Sequence, residues 1–426
     1  MTARRTIDVD ERLPLLQTLP LSLQHLFAMF GATVLVPVLT GFDPSVALCS
    51  GGVGTLLYIA ATKGKVPAYL GSSFAVIAGL TLVNKGWHDP HAAMTGALAL
   101  GLVYVAISLL VGAIGIGWLD RIFPPVVIGS VVIVIGLGLA GVAVQMAGFA
   151  PSADIKIPEG MESRWMLAAA FTVVVVAVGS VCLRGFLGVI PVLIGIVSGY
   201  LFALALGLVD FAPVREAAWV ALPRFVFPAF SERGLSAALL IAPIAVVLVT
   251  EHIGHLLVTN KIVGRDFTKD PGLHRSLLGD GLACIFASVV GAPPATTYGE
   301  NIGVMAITRV FSVWVLGGAA LIAISLSFIQ KLGALIQTIP TAVMGGVSIA
   351  LFGVIAAAGT RLFVEAKVDF SEKRNLVLAS VIMVLGVGGS RVHFGDFELN
   401  SMTLATVVGI LLNLVLPRSE TSPAAQ

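Results

Sequence analysis

The sequence predicts an all-α polytopic membrane protein, and three observations lead to this fold class. Hydrophobic residues make up 57% of the 426 residues, charged residues only 11%, and the mean hydropathy is +1.01. Soluble domains of this length do not have such a composition. Apolar runs of about 20 residues, the length that crosses a bilayer, recur along the chain. One of these runs is interrupted, at residues 293–309, by a proline pair and a carboxylate.

Fourteen spans are predicted, seven in each half of the chain. In the first half they are residues 21–39, 45–61, 66–83, 92–114, 124–144, 165–182 and 186–208. In the second half they are residues 236–258, 277–290, 293–307, 310–328, 338–358, 375–388 and 402–416. The third and the tenth are short or interrupted. Because seven is odd, the second half is predicted to be inverted in the membrane relative to the first, as an inverted repeat.

Weak internal similarity agrees with such a repeat. Residues 24–25 (QH) in the first span resemble residues 251–252 (EH) in the eighth, and Pro67 before the third span matches Pro294 before the tenth; both pairs are 227 residues apart. Paired interruptions at corresponding positions of two halves are typical of transporters built from inverted repeats.

Positively charged residues predict the orientation. With the N-terminus inside, the predicted cytoplasmic segments hold 17 of the 25 Lys and Arg residues and the outer segments hold 8. Cytoplasmic loops of membrane proteins carry such an excess, so both termini are predicted to be cytoplasmic. The charged first 12 residues do not resemble a cleavable leader. The longest loop, 209–235, holds aromatic residues typical of a segment at the membrane interface.

The interrupted stretch at 293–309 is the first candidate site. Pro293 and Pro294 break a helix, and residues 296–298 (TTY) favour an extended backbone. A short helix then begins near Glu300, so its first N–H groups need partners at membrane depth. A discontinuous helix with a polar residue at the break is typical of a transporter binding site.

Two carboxylates, Glu251 and Glu300, lie well inside predicted spans. A charge at that depth is costly and by default functional, the alternative being a structural carboxylate bonded to the backbone or to a histidine. His255 follows Glu251 by four residues and shares its helix face, which suits proton handling. The few histidines and the scattered cysteines do not predict a metal site. His25, in the first span, is a candidate for proton handling and equally for a satisfied core group.

Three other residues carry weaker expectations. His252 is predicted to point away from the Glu251 face and to pack against or bond a neighbour. Asp280 is predicted to be structural, either interfacial or paired with Arg275. Phe74 lies at the break of the third span, where a flat ligand could stack on its ring; ordinary packing is the open alternative.

Several function classes are excluded. The sequence holds no phosphate-binding loop, no Ser–His–Asp arrangement and no His-Glu-x-x-His motif, so neither an ATP-driven pump nor an intramembrane hydrolase is predicted. The net charge of +2, with basic residues spread over loops, does not indicate a nucleic-acid partner. The expectation is a transporter rather than an enzyme.

Several motifs resemble those of a known family. Residues 300–309 (ENIGVMAITR) are similar to the signature of the nucleobase–ascorbate transporter family, also called nucleobase:cation symporter-2. Residues 22–31, 71–74, 251–255, 270–276 and 295–300 resemble its bacterial uracil-transporting members, so the likeness covers nearly the whole chain. Glu300 stands where purine-transporting members carry Gln, which favours a pyrimidine. Ala295 departs from the polar residue common in uracil members.

The resemblance implies a seven-plus-seven inverted repeat in which short strands break the third and tenth spans and meet near mid-membrane. Residues 21–114 and 236–330 would form a core domain, and residues 115–208 and 331–416 a gate domain. Residues 1–20 would be a cytoplasmic N-terminus, 209–235 a periplasmic or interfacial loop, and 417–426 a C-terminal tail. A homodimer in a bacterial inner membrane is implied as well.

The resemblance also implies proton-coupled uptake of uracil, with no cofactor other than the proton and no metal. The substrate would lie between core and gate, against the carboxylates and the backbone of the two breaks. The residues implied to contact it are Glu251, Glu300, Phe74, Gly299, Tyr298 and Ala32, and those implied to support proton coupling are Glu251, His255, Glu300 and His25.

Three alternatives stay open at this point. A purine carrier for xanthine or urate could use the same scaffold. An anion exchanger or channel could use a related fourteen-span fold, although two carboxylates at the break argue against an anion site. A membrane-embedded enzyme is the third.

Overall fold

A computed structural model describes residues 6–115, 117–152, 155–185, 187–394 and 397–417. Of the predicted terminal segments, residues 1–5 and 418–426 lie outside the described residues. The described chain is mostly helical, as predicted.

The α-helices follow one another along the chain, joined for the most part by short turns. In the first half they are α1 (Leu15–Thr40), α2 (Pro44–Ala61), α3 (Ile77–Thr81), α4 (Pro90–Ile114), α5 (Leu119–Ile122), α6 (Pro125–Gly138), α7 (Ala140–Met146), α8 (Glu162–Cys182), α9 (Pro191–Ala205) and α10 (Ala212–Glu216). In the second half they are α11 (Glu232–Ile241), α12 (Ala245–Val263), α13 (Leu273–Val290), α14 (Gly299–Thr308), α15 (Val313–Ser327), α16 (Gln330–Gln337), α17 (Thr341–Glu365), α18 (Lys373–Val387) and α19 (Ser401–Val415).

Eight helices of the described chain are long and apolar enough to cross a membrane by length and composition. They are Leu15–Thr40, Pro44–Ala61, Pro90–Ile114, Pro125–Met146, Glu162–Cys182, Glu232–Val263, Thr268–Val290 and Thr341–Glu365. The other predicted spans coincide with shorter helices such as α9, α15, α18 and α19, or with a strand followed by a helix. The count of fourteen therefore stays a prediction.

The local sequence determines where the helices end. Helix α1 ends at Gly41, whose φ of +82° is a left-handed conformation that suits glycine. Asp43 then caps α2 by accepting a hydrogen bond from the backbone N–H of Ser45 at 2.8 Å, and Pro44 occupies the first helical position. These three signals produce the tight turn between α1 and α2.

Two short strands interrupt the helical chain where breaks were predicted. Strand β1 (Leu70–Ser72) and strand β2 (Ala295–Thr297) are antiparallel, and Leu70 pairs with Thr297 and Ser72 with Ala295. The predicted strands in the third and tenth spans are thus confirmed. A second hairpin, β3 (Val392–Phe394) and β4 (Phe397–Leu399), was not predicted from the sequence.

The helices pack in two groups. In the strand-bearing bundle, α13 packs against α2 and α4, α15 against α1 and α2, and α11 against α4. In the second bundle, α17 packs against α6, α7 and α8, α9 against α8, and α18 against α6 and α19. The two bundles meet where α12 contacts α6 and α19 and where α1 contacts α9 and α17.

The N-terminal segment packs against the second half of the chain. Helix α1 begins at Leu15, before the predicted span, because Pro20 is accommodated inside the helix. Before the helix, Ile7 forms a parallel bridge with Val310, and Val9 is buried. The described part of the segment predicted as a cytoplasmic N-terminus therefore lies along the connection between α14 and α15.

Replacing Gly136 by alanine tests the contact between α6 and α17. A Cβ at Gly136 would lie 2.4 Å from the carbonyl oxygen of Phe352 and 2.7 Å from the backbone nitrogen of Ala356. Backbone atoms cannot rotate away, so the helices must separate at a cost of about 1–3 kcal/mol. We expect the melting temperature of the detergent-purified Gly136→Ala protein to fall by several degrees.

The control is the same change on the neighbouring helix α7. A Cβ at Gly141 would meet no atom within 4 Å, so Gly141→Ala should melt like the parent protein. Equal melting temperatures for the two variants would contradict the close approach of α6 and α17.

Candidate functional site

The candidate site is built on the β1–β2 pair. After β1 the chain turns into a short 3-10 helix, Phe74–Val76, and then α3; after β2 it enters α14. Since the strands are antiparallel, the two half-helices begin at opposite ends of a ladder three residue pairs long. Each helix start presents backbone N–H groups without intrahelical partners, and these favour an acceptor or a negative charge.

Helix α12 lies beside the strand pair and carries two of the predicted site residues one turn apart. Glu251 is 7% exposed, and its Oε2 accepts a hydrogen bond from the Ser73 hydroxyl at 3.4 Å. His255 reaches the other end of the ladder, where its Nδ1 is 3.1 Å from the Thr297 hydroxyl. The predicted shared face of Glu251 and His255 therefore turns toward both breaks.

The start of α14 places two further predicted residues at the same end of the ladder as His255. Gly299 is exposed, and a Cβ built on it would lie 3.4 Å from Nε2 of His255. Glu300 is half-buried in the first turn of α14. An exposed glycine among buried residues means that an open space adjoins the backbone there, beside Nε2 of His255.

Phe74 lies at the boundary between the two bundles. Its buried ring meets Phe352 of α17 edge to face, with ring centroids 5.6 Å apart and an interplanar angle of 84°. Phe352 was not predicted, because it lies in a uniformly apolar run that gives no local signal. The predicted site thus has one aromatic residue from each bundle.

Tyr298 and Ala32 are buried in the protein interior behind the site. The hydroxyl of Tyr298 donates to the carbonyl of Ser72 and accepts from Thr33, both at 3.2 Å. Its ring covers Gly71, where a Cβ would lie 2.5 Å from the hydroxyl oxygen. Ala32, next to Thr33 on α1, is buried. The side chain of Tyr298 therefore ties α1 to the strands.

His25 is joined to α14 rather than to the carboxylates. The Asn301 amide nitrogen is 3.1 Å from Nδ1 of His25 and donates to the His25 carbonyl at 3.0 Å. Both residues are buried. Asn301 was not predicted as a site residue, although its place beside Glu300 in the polar break was a signal for it.

Asp280 has a different partner from the one predicted. Its Oδ2 is 2.8 Å from Nδ1 of His252 and accepts a hydrogen bond from the Tyr104 hydroxyl at 3.1 Å. Arg275 instead donates to the carbonyl of Ala61. The predicted pairing of Asp280 with Arg275 is wrong, because Asp280 lies more than a turn away on α13 and is fully buried against α12.

No group of three or more His, Cys, Asp or Glu side chains in the described ranges is arranged to hold a metal ion. The polar groups at the strand pair are hydroxyls, carboxylates, imidazoles and backbone N–H groups. Such a set suits a small neutral ligand with hydrogen-bonding edges.

Comparison with solved structures shows the fold. The transmembrane domain of the cyanobacterium bicarbonate transporter BicA aligns with a TM-score of 0.62 at 15% identity, covering 95% of this chain and 99% of that one. SLC26A9 aligns with a TM-score of 0.70 at 10% identity, covering 94% of this chain and 65% of that one. At such low identity the likeness concerns the fold alone.

Comparison with protein sequences gives the family. A uracil permease of Paenibacillus larvae is 53% identical over 412 residues, covering 96% of each chain. Uracil permeases of Bacillus subtilis and Escherichia coli K12 are 53% and 51% identical; they cover 95% and 97% of this chain and 93% and 94% of their own. The family model described as Permease family, for xanthine and uracil permeases, matches residues 16–395. The chain therefore belongs to this permease family, nucleobase:cation symporter-2, as a multi-pass membrane transporter and not an enzyme.

Proposed function

We propose that this chain is a uracil:proton symporter of the bacterial inner membrane. The observation that carries the proposal is the placement of Glu251 and Glu300. Glu251 is buried at the β1 end of the strand pair, and Glu300 is half-buried at the β2 end. The strand pair interrupts two apolar segments. Relatives named uracil permeases, about half identical over nearly the whole chain, support the choice of substrate.

The chemistry of the site matches the edges of uracil. Uracil is flat and neutral, with two N–H donors and two carbonyl acceptors. The carboxylates of Glu251 and Glu300 supply acceptors, and the free N–H groups at Phe74 and Gly299 supply donors. A site that pairs every edge rejects an analogue lacking one, because a buried polar group is then left unpaired.

Proton coupling is assigned to the same groups. Glu251, His255 and Glu300 adjoin the proposed substrate space. Each of these side chains can take up or release a proton there. Because an unpaired charge in the membrane is costly, protonation of these groups and binding of the substrate are energetically linked. His25 acts indirectly, through its contact with Asn301 at the start of α14.

The proposal includes the full seven-plus-seven architecture, with both termini cytoplasmic and two chains in a homodimer. The seven-plus-seven arrangement is supported by two observations: each predicted span coincides with a helix or with a strand followed by a helix, and the two strands lie at corresponding positions of the halves. The strand-bearing bundle corresponds to the core domain and the second bundle to the gate domain.

Movement of core against gate would carry the substrate across. Two of the contacts between the bundles are the Phe74–Phe352 ring pair at the site and an ion pair in the last turn of α12, where Nζ of Lys261 is 3.2 Å from Oε2 of Glu365 on α17. A cleft of about 180 Å³ lies beside this ion pair, between α6, α12 and α17. Both contacts must break when the bundles separate.

Glu300→Ala tests the binding role. Removing the carboxylate leaves a substrate N–H unpaired in a desolvated site, which costs about 1–3 kcal/mol or roughly ten- to a hundredfold in affinity. We expect proton-driven uptake of labelled uracil into proteoliposomes to fall to background. The matched control is Glu216→Ala, which removes an exposed carboxylate from α10 and should leave uptake unchanged.

The same assay separates the alternatives. Unlabelled uracil should compete with the label, whereas xanthine should not. Normal uptake by correctly inserted Glu300→Ala protein would overturn the binding role, and competition by xanthine would indicate a purine carrier.

Crosslinking α12 to α17 tests the movement. In a Cys182→Ser background, which removes the exposed native thiol, Lys261→Cys and Glu365→Cys place two thiols at the ion pair. A short bifunctional thiol reagent should then stop transport, while each protein that carries only one of the two introduced cysteines stays active. Full transport by completely crosslinked protein would contradict a mechanism that separates the two helices.

A further inference from the structure

A buried hydrogen-bond chain runs behind the site, from α2 to α12. The hydroxyl of Tyr58 is 2.6 Å from that of Ser276, which is 2.7 Å from Nε2 of His252. On its other side, Nδ1 of His252 is 2.8 Å from Oδ2 of Asp280 and 3.4 Å from the Thr297 hydroxyl. All five residues are buried. The sequence predicts that His252 packs against or bonds a neighbour, and the hydrogen bonds with Ser276 and Asp280 confirm this, but the proposed transport mechanism gives it no role.

The donor and the acceptor of each hydrogen bond in this buried chain can be assigned. Tyr58 has no acceptor other than Ser276 among the described residues, so its O–H donates to Ser276, and Ser276 donates to Nε2 of His252. With Nε2 accepting, a neutral His252 carries its proton on Nδ1 and donates it to Asp280, because the hydrogen bond at one ring nitrogen fixes the proton at the other. The Nδ1 lone pair of His252 is therefore not free to accept a hydrogen bond from Thr297.

The position of the proton on His252 determines which way the Thr297 hydroxyl donates its hydrogen bond. The Thr297 hydroxyl has one proton and two candidate partners in the described chain, Nδ1 of His252 at 3.4 Å and Nδ1 of His255 at 3.1 Å. Since His252 cannot accept, the hydroxyl donates to Nδ1 of His255. A neutral His255 must then carry its proton on Nε2, the nitrogen beside Gly299.

We propose that His252 is a positioning residue. Held by Asp280 and Ser276, it orients the Thr297 hydroxyl so that His255 presents an Nε2–H donor to the open space beside Gly299. In that space the donor faces a carbonyl edge of the substrate; this last step rests on the proposed nucleobase transport, whereas the tautomer of His255 does not.

Two pairs of variants separate this role from packing. An asparagine at 252 places its amide near the position of Nδ1 and keeps the donor toward Asp280 and Thr297, whereas a glutamine places it near Nε2 and keeps only the contact with Ser276. Thr297→Ser keeps the hydroxyl, and Thr297→Val removes it while keeping the shape and the strand preference.

The direct readout is the tautomer of His255. In protein reconstituted with ¹⁵N-labelled histidine, the signal of His255 is identified by its loss in His255→Gln, and its two ring-nitrogen shifts report which nitrogen carries the proton. We expect the Nε2–H form in the parent, His252→Asn and Thr297→Ser proteins, and a mixture of both tautomers in His252→Gln and Thr297→Val. An unchanged tautomer in Thr297→Val, or an Nδ1–H form in the parent protein, would overturn the proposal whether or not uracil is the substrate.

The functional readout is uracil affinity, measured by isothermal titration or scintillation proximity. Losing one oriented hydrogen bond should weaken binding about three- to tenfold in His252→Gln and in Thr297→Val. The double variant should lose no more than either single variant, because both changes remove the same donor. Equal losses in His252→Asn and His252→Gln would show a packing role instead. A changed tautomer together with no uracil binding by the parent protein would refute the substrate but keep the positioning role.

Discussion

The structure depends on one constraint: a peptide group inside the bilayer must have a hydrogen-bond partner within the protein. Each buried N–H or C=O without one costs several kcal/mol. The helical backbone is replaced by a short strand at Leu70–Ser72 and at Ala295–Thr297, and both strands are fully buried. Neither strand can exist there alone. Pairing the two strands removes most of the cost and joins the two halves of the chain at one point.

A two-stranded ladder still has two open edges, and the neighbouring helices close them. The hydroxyl of Thr55, on α2, accepts a hydrogen bond from the backbone N–H of Leu70 at 2.9 Å. The thiol of Cys284, on α13, donates to the carbonyl of Ala295 at 3.0 Å. Small polar side chains thus replace the missing third and fourth strands. The helices that pack against the strands are for this reason part of the site's framework.

The sequence predicts what depends on local spacing. Prolines and small residues located both breaks, and the four-residue interval between Glu251 and His255 put both side chains on the face that meets the strands. These inferences need only the period of a helix and the chemistry of proline. The family resemblance added the pairing of the two strands, which local spacing does not contain.

Partners that are distant in sequence were missed. The contact of Asp280 with His252, of Asn301 with His25, and of Phe74 with Phe352 each joins different elements, so no local pattern records it. Arg275 was predicted as the partner of Asp280 because the two residues are close in sequence. Closeness in sequence does not show in which direction a buried carboxylate faces, so this prediction was wrong. The β3–β4 hairpin was missed because it lies outside the apolar runs.

The three carboxylates near the strand pair differ in where they lie. Oδ2 of Asp280 holds two partners, the ring of His252 and the Tyr104 hydroxyl, while its Oδ1 is buried without a partner among the described residues. Asp280 therefore faces the imidazole chain behind the strands. Glu251 and Glu300 lie instead at the two ends of the strand pair, beside the starts of the half-helices, where backbone N–H groups have no intrahelical partner. The proposed exchange with substrate and proton falls to Glu251 and Glu300 because of this position, and the support of the imidazole chain falls to Asp280.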